Sequence, residues 1–217
     1  MADYFLALDA ADFEGRVRPA LAASRRRASF DPCRALCAEL ISAARAYKDR
    51  YHVGGAEALV QSVADGMTFH RDVWRALVGE ILLYTAVEIP EFQTCEATLV
   101  HLLAPGRGAE DIGERSSLPP IVQAHRGARD LTFGAAIYRP EQAAYNNAGD
   151  VARLTAYLAT VRPERWSQSD LVGAPGAENE EEQEQELAFA REWFPALADL
   201  FRRAQERSWV LVHESIF

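Results

Sequence analysis

Cysteine is scarce in this chain: three residues in 217, Cys33, Cys37 and Cys95, an odd number with no Cys-x-x-Cys pair. That excludes a disulfide-stapled scaffold and agrees with a reducing compartment. Cys33 and Cys37 stand four apart on an expected helix, and without a second close ligand pair they read as buried free thiols rather than a metal site. Long hydrophobic runs are missing as well. No stretch of roughly eighteen apolar residues occurs, and the first fifteen residues are acidic where a secretory leader would be basic, so no membrane span and a cytoplasmic location are expected. The third deficit is positive charge. A net charge of −9 and a pI near 5.1 argue against a nucleic-acid binder, because neutralising phosphates needs a basic face. The one basic cluster, Arg25, Arg26 and Arg27, falls at an expected helix C-terminus and complements its dipole.

Recognisable catalytic signatures are also lacking. There is no Gly-x-Ser-x-Gly elbow, no phosphate loop and no dinucleotide fingerprint, and His52, His70, His101, His125 and His213 have no metal-ligand spacing. His70-Arg71-Asp72 spells the kinase catalytic-loop triplet by accident, since Leu77 stands where the asparagine belongs; Asp72 instead suits a helix start. Glu80, a carboxylate on an otherwise apolar helix, is the one detail that would need a partner if buried. The sequence therefore provides no catalytic residue, no cofactor and no resident metal.

What the chain does have is apolar periodicity, with 49% hydrophobic residues, enough for one sizeable core. The segment from Phe69 to Val87 repeats apolar residues at three and four, from Val73 and Trp74 through Leu77, Val78, Ile81 and Leu82. It predicts a central buried helix with Thr68 as N-cap, on which the core is built. Before it lie an expected strand at Tyr4 to Leu8 and a helix to about Ala23 flawed by Pro19. A second helix opens at Asp31-Pro32, and a short amphipathic one runs from Ala56 to Val63. After it, residues 91 to 104 fit a helix capped by Thr94. The first half is thus mostly helical.

Residues 105 to 130 concentrate Gly, Pro, Ser and charge and read as a long surface connection, with room for a short strand at Ile121 to Ala124. A strand is expected at Leu131 to Tyr138, then a helix opened by Asn146 or Asn147 on Val151, Leu154 and Leu158. Trp166 and Leu171 would pack beneath it. The acidic run 178 to 186 reads as an exposed first helical turn or a mobile loop leading into a helix, and Leu187 to Ala204 keep register through Pro195, as a kinked helix or as two short ones. Trp209 to His213 alternates poorly but is aromatic and β-branched, which predicts a closing strand.

Several of these features together resemble the YfbM-like family of small bacterial proteins. The residues are Tyr4-Phe5, Phe133-Gly134 ahead of Pro140, the Asp150 to Leu158 helix, Trp193-Phe194 with Leu197 to Phe201, and Arg203-Ala204-Gln205 leading into Val210-Leu211-Val212. The helical stretch from Asp31 to Ala104 departs from that pattern. The resemblance implies a small α+β domain and no residue role.

These expectations combine into one α+β domain over residues 1–217. Its N-terminal half is mostly helical, and its small sheet is formed by the N-terminal strand and the C-terminal half. A lone N-terminal strand needs partners that appear only after residue 130. For function, the negative balance and the acidic run beside an aromatic helix point to a non-enzymatic, regulatory or immunity-like binding module for a basic protein partner. Glu180, Glu181, Glu182 and Trp193 are its contact residues. The alternative is a metal-assisted hydrolase that recruits scattered ligands such as His70, Glu80 and His101.

Overall fold

Two strands carry the architecture, and in both the apolar residues run without alternation. In β1 (Ala2–Asp9) Phe5, Leu6, Ala7 and Leu8 are all buried, and in β6 (Trp209–Ile216) so are Trp209, Val210, Leu211 and Val212. A strand covered on both faces needs no polar side, which is why the C-terminal segment alternates poorly. The two pair antiparallel along their whole length, Leu6 opposite Val212 and Leu8 opposite Val210. In the computed structural model, backbone is described for residues 2–51, 57–64, 66–90, 95–106, 114–133, 136–137 and 142–216, and side chains for 5–42, 60–64, 66–90, 95–106, 114–133 and 144–213.

β6, the expected closing strand, lies inside the sheet. Its other neighbour is β5 (Gln142–Asn146), and the two-residue β2 (Arg129–Asp130) completes the order β1-β6-β5-β2. The sheet thus joins the N-terminal strand to strands of the C-terminal half, as expected of this α+β fold. The strand expected at Leu131 to Tyr138 is not part of it. Thr132–Phe133 (β3) and Ala136–Ile137 (β4) pair with each other as a separate hairpin, and Leu131 and Phe133 turn into the helical core.

Helices cover the two faces, and the chain divides between them. Leu6, Leu8, Val210, Val212 and Tyr145 meet the N-terminal helices: α1 (Ala10–Asp12), a π-helical turn at Phe13–Val17, α2 (Arg18–Arg27), α3 (Asp31–Tyr51) and α5 (Arg71–Thr85). α4 (Glu57–Val63) packs beside α3 and α5. On the other face Phe5, Ala7, Trp209 and Leu211 meet α6 (Glu96–Leu103), α7 (Pro120–Arg126), α8 (Ala148–Leu158) and α9 (Glu180–Glu206). The expectation of a single core built on the Phe69 to Val87 helix is therefore corrected: α5 organises one layer, α9 with α8 organises the other, and the sheet divides them. Strict two-residue side-chain alternation in β1 and β6 is what sends each half of the chain to its own face.

Local chemistry explains most boundaries. Pro19, which lacks an N–H, stands two residues past the end of the π turn, so the first helix widens rather than breaks. α5 starts at Arg71 with His70, not Thr68, in the N-cap position, and Asp72 in its first turn faces the positive end of the dipole. Arg25, Arg26 and Arg27 occupy the last turn of α2, and the Arg25 guanidinium lies over the Trp74 ring, 5.8 Å from its centroid. Beyond α5 the chain covers the edge of β1: Val87 N–H donates to Ala7 O at 2.8 Å and Ala7 N–H to Glu88 O at 2.9 Å. α9 passes through exposed Pro195 as one 27-residue helix.

The surface connection expected at 105 to 130 is corrected over its second half. Residues 120–126 are helix α7, not a strand, with Ile121, Val122, Gln123, Ala124 and His125 buried. Pro119-Pro120 starts this helix and Gly127 stops it, so the breakers mark a short buried element. The cap expected at Thr94 lies outside the described residues.

All three cysteines are free and buried. Burial pushes the Cys33 and Cys95 thiols up to about 12 and raises that of Cys37. The folded chain keeps these protons at a pH where the unfolded chain loses them. Their contribution to stability is present below about 9 and lost as pH rises towards about 12. Urea midpoints should fall over that window, and at pH 8 a thiol reagent should label the cysteines only on unfolding; ready labelling of native protein would contradict this burial.

Candidate functional site

The acidic run becomes the first turns of α9, and its cap is built from its own residues. Asn179 Oδ1 accepts from the Glu182 N–H at 3.0 Å, and Glu182 Oε2 accepts from the N–H groups of Glu178 and Asn179 at 2.8 and 3.2 Å. This is a reciprocal capping box, reinforced by three glutamates at the positive end of the helix. Glu182 is thus occupied in structure. Glu180, Glu181 and Glu184 are exposed and make no ion pair among the described residues.

Elsewhere the acids are largely answered by arginines. Glu14 pairs with Arg18, Glu39 and Asp12 with Arg16, Asp130 with Arg115, Glu96 with Arg126, and Glu88 with Arg203. Between residues 178 and 192, by contrast, seven glutamates meet one arginine, a net −6 out of the chain's −9. That arginine, Arg191, donates to the carbonyls of Pro163 and Trp166. Negative charge is therefore concentrated on one helix.

Trp193 lies on the flank of this helix. It is half-buried beside Phe189, their rings 6.1 Å apart, while the next residue, Phe194, is fully inside and packs edge-on against Trp166 at 5.5 Å. Helical geometry puts Glu182, Glu186, Phe189 and Trp193 along one stripe, with Glu181 and Glu192 on the exposed stripe next to it. Glu186 turns towards the body of the protein and accepts the Thr98 hydroxyl at 2.5 Å. Of the four contact residues expected from the sequence, Glu180 and Glu181 face solvent, Glu182 closes the cap, and Trp193 stands roughly 16 Å further along the axis.

A second polar arrangement escaped sequence reasoning. Where α7 meets β5, Asn146 is buried; its Oδ1 accepts from Ala128 N–H at 2.9 Å and its Nδ2 donates to Gln123 O at 3.1 Å. Gln123 in turn donates to the carbonyls of Ser116 and Leu118 at 3.1 and 2.6 Å and accepts from Arg153. Asn147 and Asp150 form the capping box of α8, and Asp150 also receives Arg129, with Nε to Oδ2 at 2.5 Å and Nη2 to Oδ1 at 3.3 Å. Asp150 holds Arg129 firmly in its charged form. The readable signal was the Asn-x-x-Asp capping spacing, which marks a helix start but says nothing of the distant arginines. Asn146→Ala would leave the buried Ala128 N–H unpaired, while the Gln123 carbonyl keeps the Gly127 N–H, and should cost about 1–3 kcal/mol in urea unfolding; a loss under about 0.5 kcal/mol would contradict the pairing.

His70, Glu80 and His101 are not brought together as a ligand set. Among the described residues no group of three or more His, Cys, Asp or Glu side chains is placed to hold a metal ion. No helix among them is long and apolar enough to cross a membrane. Compared with known proteins, the chain matches no family model, no curated protein and no solved structure.

Proposed function

We propose that the protein is a non-enzymatic binding or regulatory module that engages a basic protein partner through the acidic flank of α9. The observation that carries this reading is the concentration of glutamates, net −6 between residues 178 and 192, at the start of the helix that carries the half-buried Phe189–Trp193 pair further along its axis. A one-signed field on an exposed helix start speeds encounter with a basic surface, and an aromatic side chain already held by its neighbour loses little freedom on contact. Glu180, Glu181 and Glu184 supply the field, Glu182 holds the helix start, and Trp193 is the anchor. A toxin-neutralising immunity protein is one instance of this class. The YfbM-like resemblance adds no residue role to it.

The test is capture from the native cell at low and moderate salt, comparing the parent protein with a variant carrying Glu180→Gln, Glu181→Gln and Glu184→Gln, which leaves the cap intact. A partner should be retained at low salt, released at moderate salt and lost with the triple variant. Equal capture by both proteins would overturn the acidic-face mechanism.

A further inference from the structure

Three arginines from three different elements are linked near the β2 edge of the sheet through Tyr145 and Asp150. The register sets Arg129 directly opposite Tyr145, so both side chains leave the same face of the sheet. Arg18, from α2, lies over the Tyr145 ring at 5.5 Å and donates to its hydroxyl at 3.1 Å, while also bonding the carbonyl and hydroxyl of Thr132, each at 3.3 Å. Arg153, from α8, shares Asp150 with Arg129 at 3.6 Å. Asp150 is only 8% exposed, yet the Arg129 and Arg153 side chains remain 50% and 48% exposed. A buried carboxylate thus fixes two guanidiniums whose outer surfaces face water.

We infer that Arg18, Arg129, Arg153 and the Tyr145 hydroxyl form a binding site for an oxyanion of the phosphate-monoester class. Arg129 uses Nε and Nη2 on Asp150, and among the described residues its Nη1 bonds nothing; Arg153 uses Nη2 alone. Both therefore present N–H donors from planes already held in place, so little side-chain freedom is lost when an anion arrives. Three guanidiniums stand against two carboxylates, Asp150 and Glu14, and this surplus suits a tetrahedral dianion. Glu14 is the competitor: it pairs with Arg18 at 3.0 Å from an exposed position, 44% accessible, from which a bound anion can displace it. Asp150 is a positioning residue, its oxygens taken up by Arg129, Arg153 and the Asn147 N–H. The site is separate from the α9 flank and stands or falls independently of the partner reading.

The test follows the arginine Nε–Hε resonances by NMR during titration with inorganic phosphate at constant ionic strength, with chloride and acetate as the other arms. Phosphate should shift the Arg18 and Arg129 signals saturably. Arg153→Gln, which leaves Asp150 bonded to Arg129, should weaken binding by roughly tenfold, the loss of one charge-assisted contact. Glu14→Gln should tighten it by about two- to fivefold by removing the competitor. Shifts that do not saturate, a response to acetate equal to that of phosphate, or affinities unchanged in both variants would overturn the site.

Discussion

Replacing Gly127 with alanine should destabilise the protein by about 3 kcal/mol or more, among the largest effects of any one-carbon change in the chain. Gly127 ends α7 with φ +77°, a conformation L side chains avoid, and a Cβ there would lie 2.7 Å from Tyr145 N, 2.8 Å from Ala144 Cβ and 2.9 Å from Ala144 C. Two of those three atoms are backbone of β5, so relief would mean moving the strand that pairs with β6. The natural control is Gly15→Ala, inside the first helix with nothing within 4 Å of the added carbon. That change should be neutral or stabilising by up to about 1 kcal/mol. Urea unfolding of both variants checks the contrast; a Gly127→Ala protein as stable as the parent would contradict the close approach of α7 to β5.

Phe201→Ala should cost about 3–5 kcal/mol, the usual range for emptying a fully buried aromatic site. Phe201 is 0% exposed at the centre of the α8–α9 layer, and its carbonyl also accepts the Thr155 hydroxyl at 3.1 Å, which ties the two helices together at that point. Phe13→Ala should do comparable damage in the opposite layer, where Phe13 is equally buried against Tyr145. Since small proteins hold only about 5–15 kcal/mol in reserve, either change should lower the urea midpoint substantially. Trp193→Ala, by contrast, removes a half-buried ring and should cost only about 1 kcal/mol, which leaves it usable as a binding variant. Losses at Phe201 no larger than at Trp193 would contradict the assignment of inner and outer faces of α9.

The helices were legible because their apolar spacing survives in every local context: α3, α5, α8 and α9 begin and end within a few residues of the positions their periodicity predicts. The layering was not. Phe5 to Leu8 and Trp209 to Val212 read simply as apolar runs, and only pairing reveals that even and odd residues serve two different cores. The segment Leu131 to Tyr138 misled for the opposite reason. Thr132–Phe133 and Ala136–Ile137 do extend, but pair with each other, while Gln142 to Asn146, with two alanines and two amides, takes the place beside β6. Tertiary pairing overrode propensity there. Ile121 to Ala124 illustrates the same limit, since a four-residue segment with three apolar residues is too short to show a period that tells strand from buried helix.

The candidate surfaces divide in a similar way. Seven glutamates within fifteen residues are visible in any reading of the chain, and so is the capping potential of Asn179 with Glu182. That Glu182 is engaged while Glu180 and Glu181 stay outward is set by the folded cap, not by spacing. The arginine edge was invisible, because Arg18, Arg129 and Arg153 are separated by more than a hundred residues at the widest and meet only through Tyr145 and Asp150.

The measurement that tests the partner reading most directly is a hydrogen-exchange footprint of the captured complex against the free protein at low salt. Binding at the acidic flank should slow amide exchange across residues 180–193 of α9, with the effect removed by Glu180→Gln, Glu181→Gln and Glu184→Gln. Protection confined to the α2–α5 layer or to the β2 edge, with α9 exchanging as in the free protein, would contradict it.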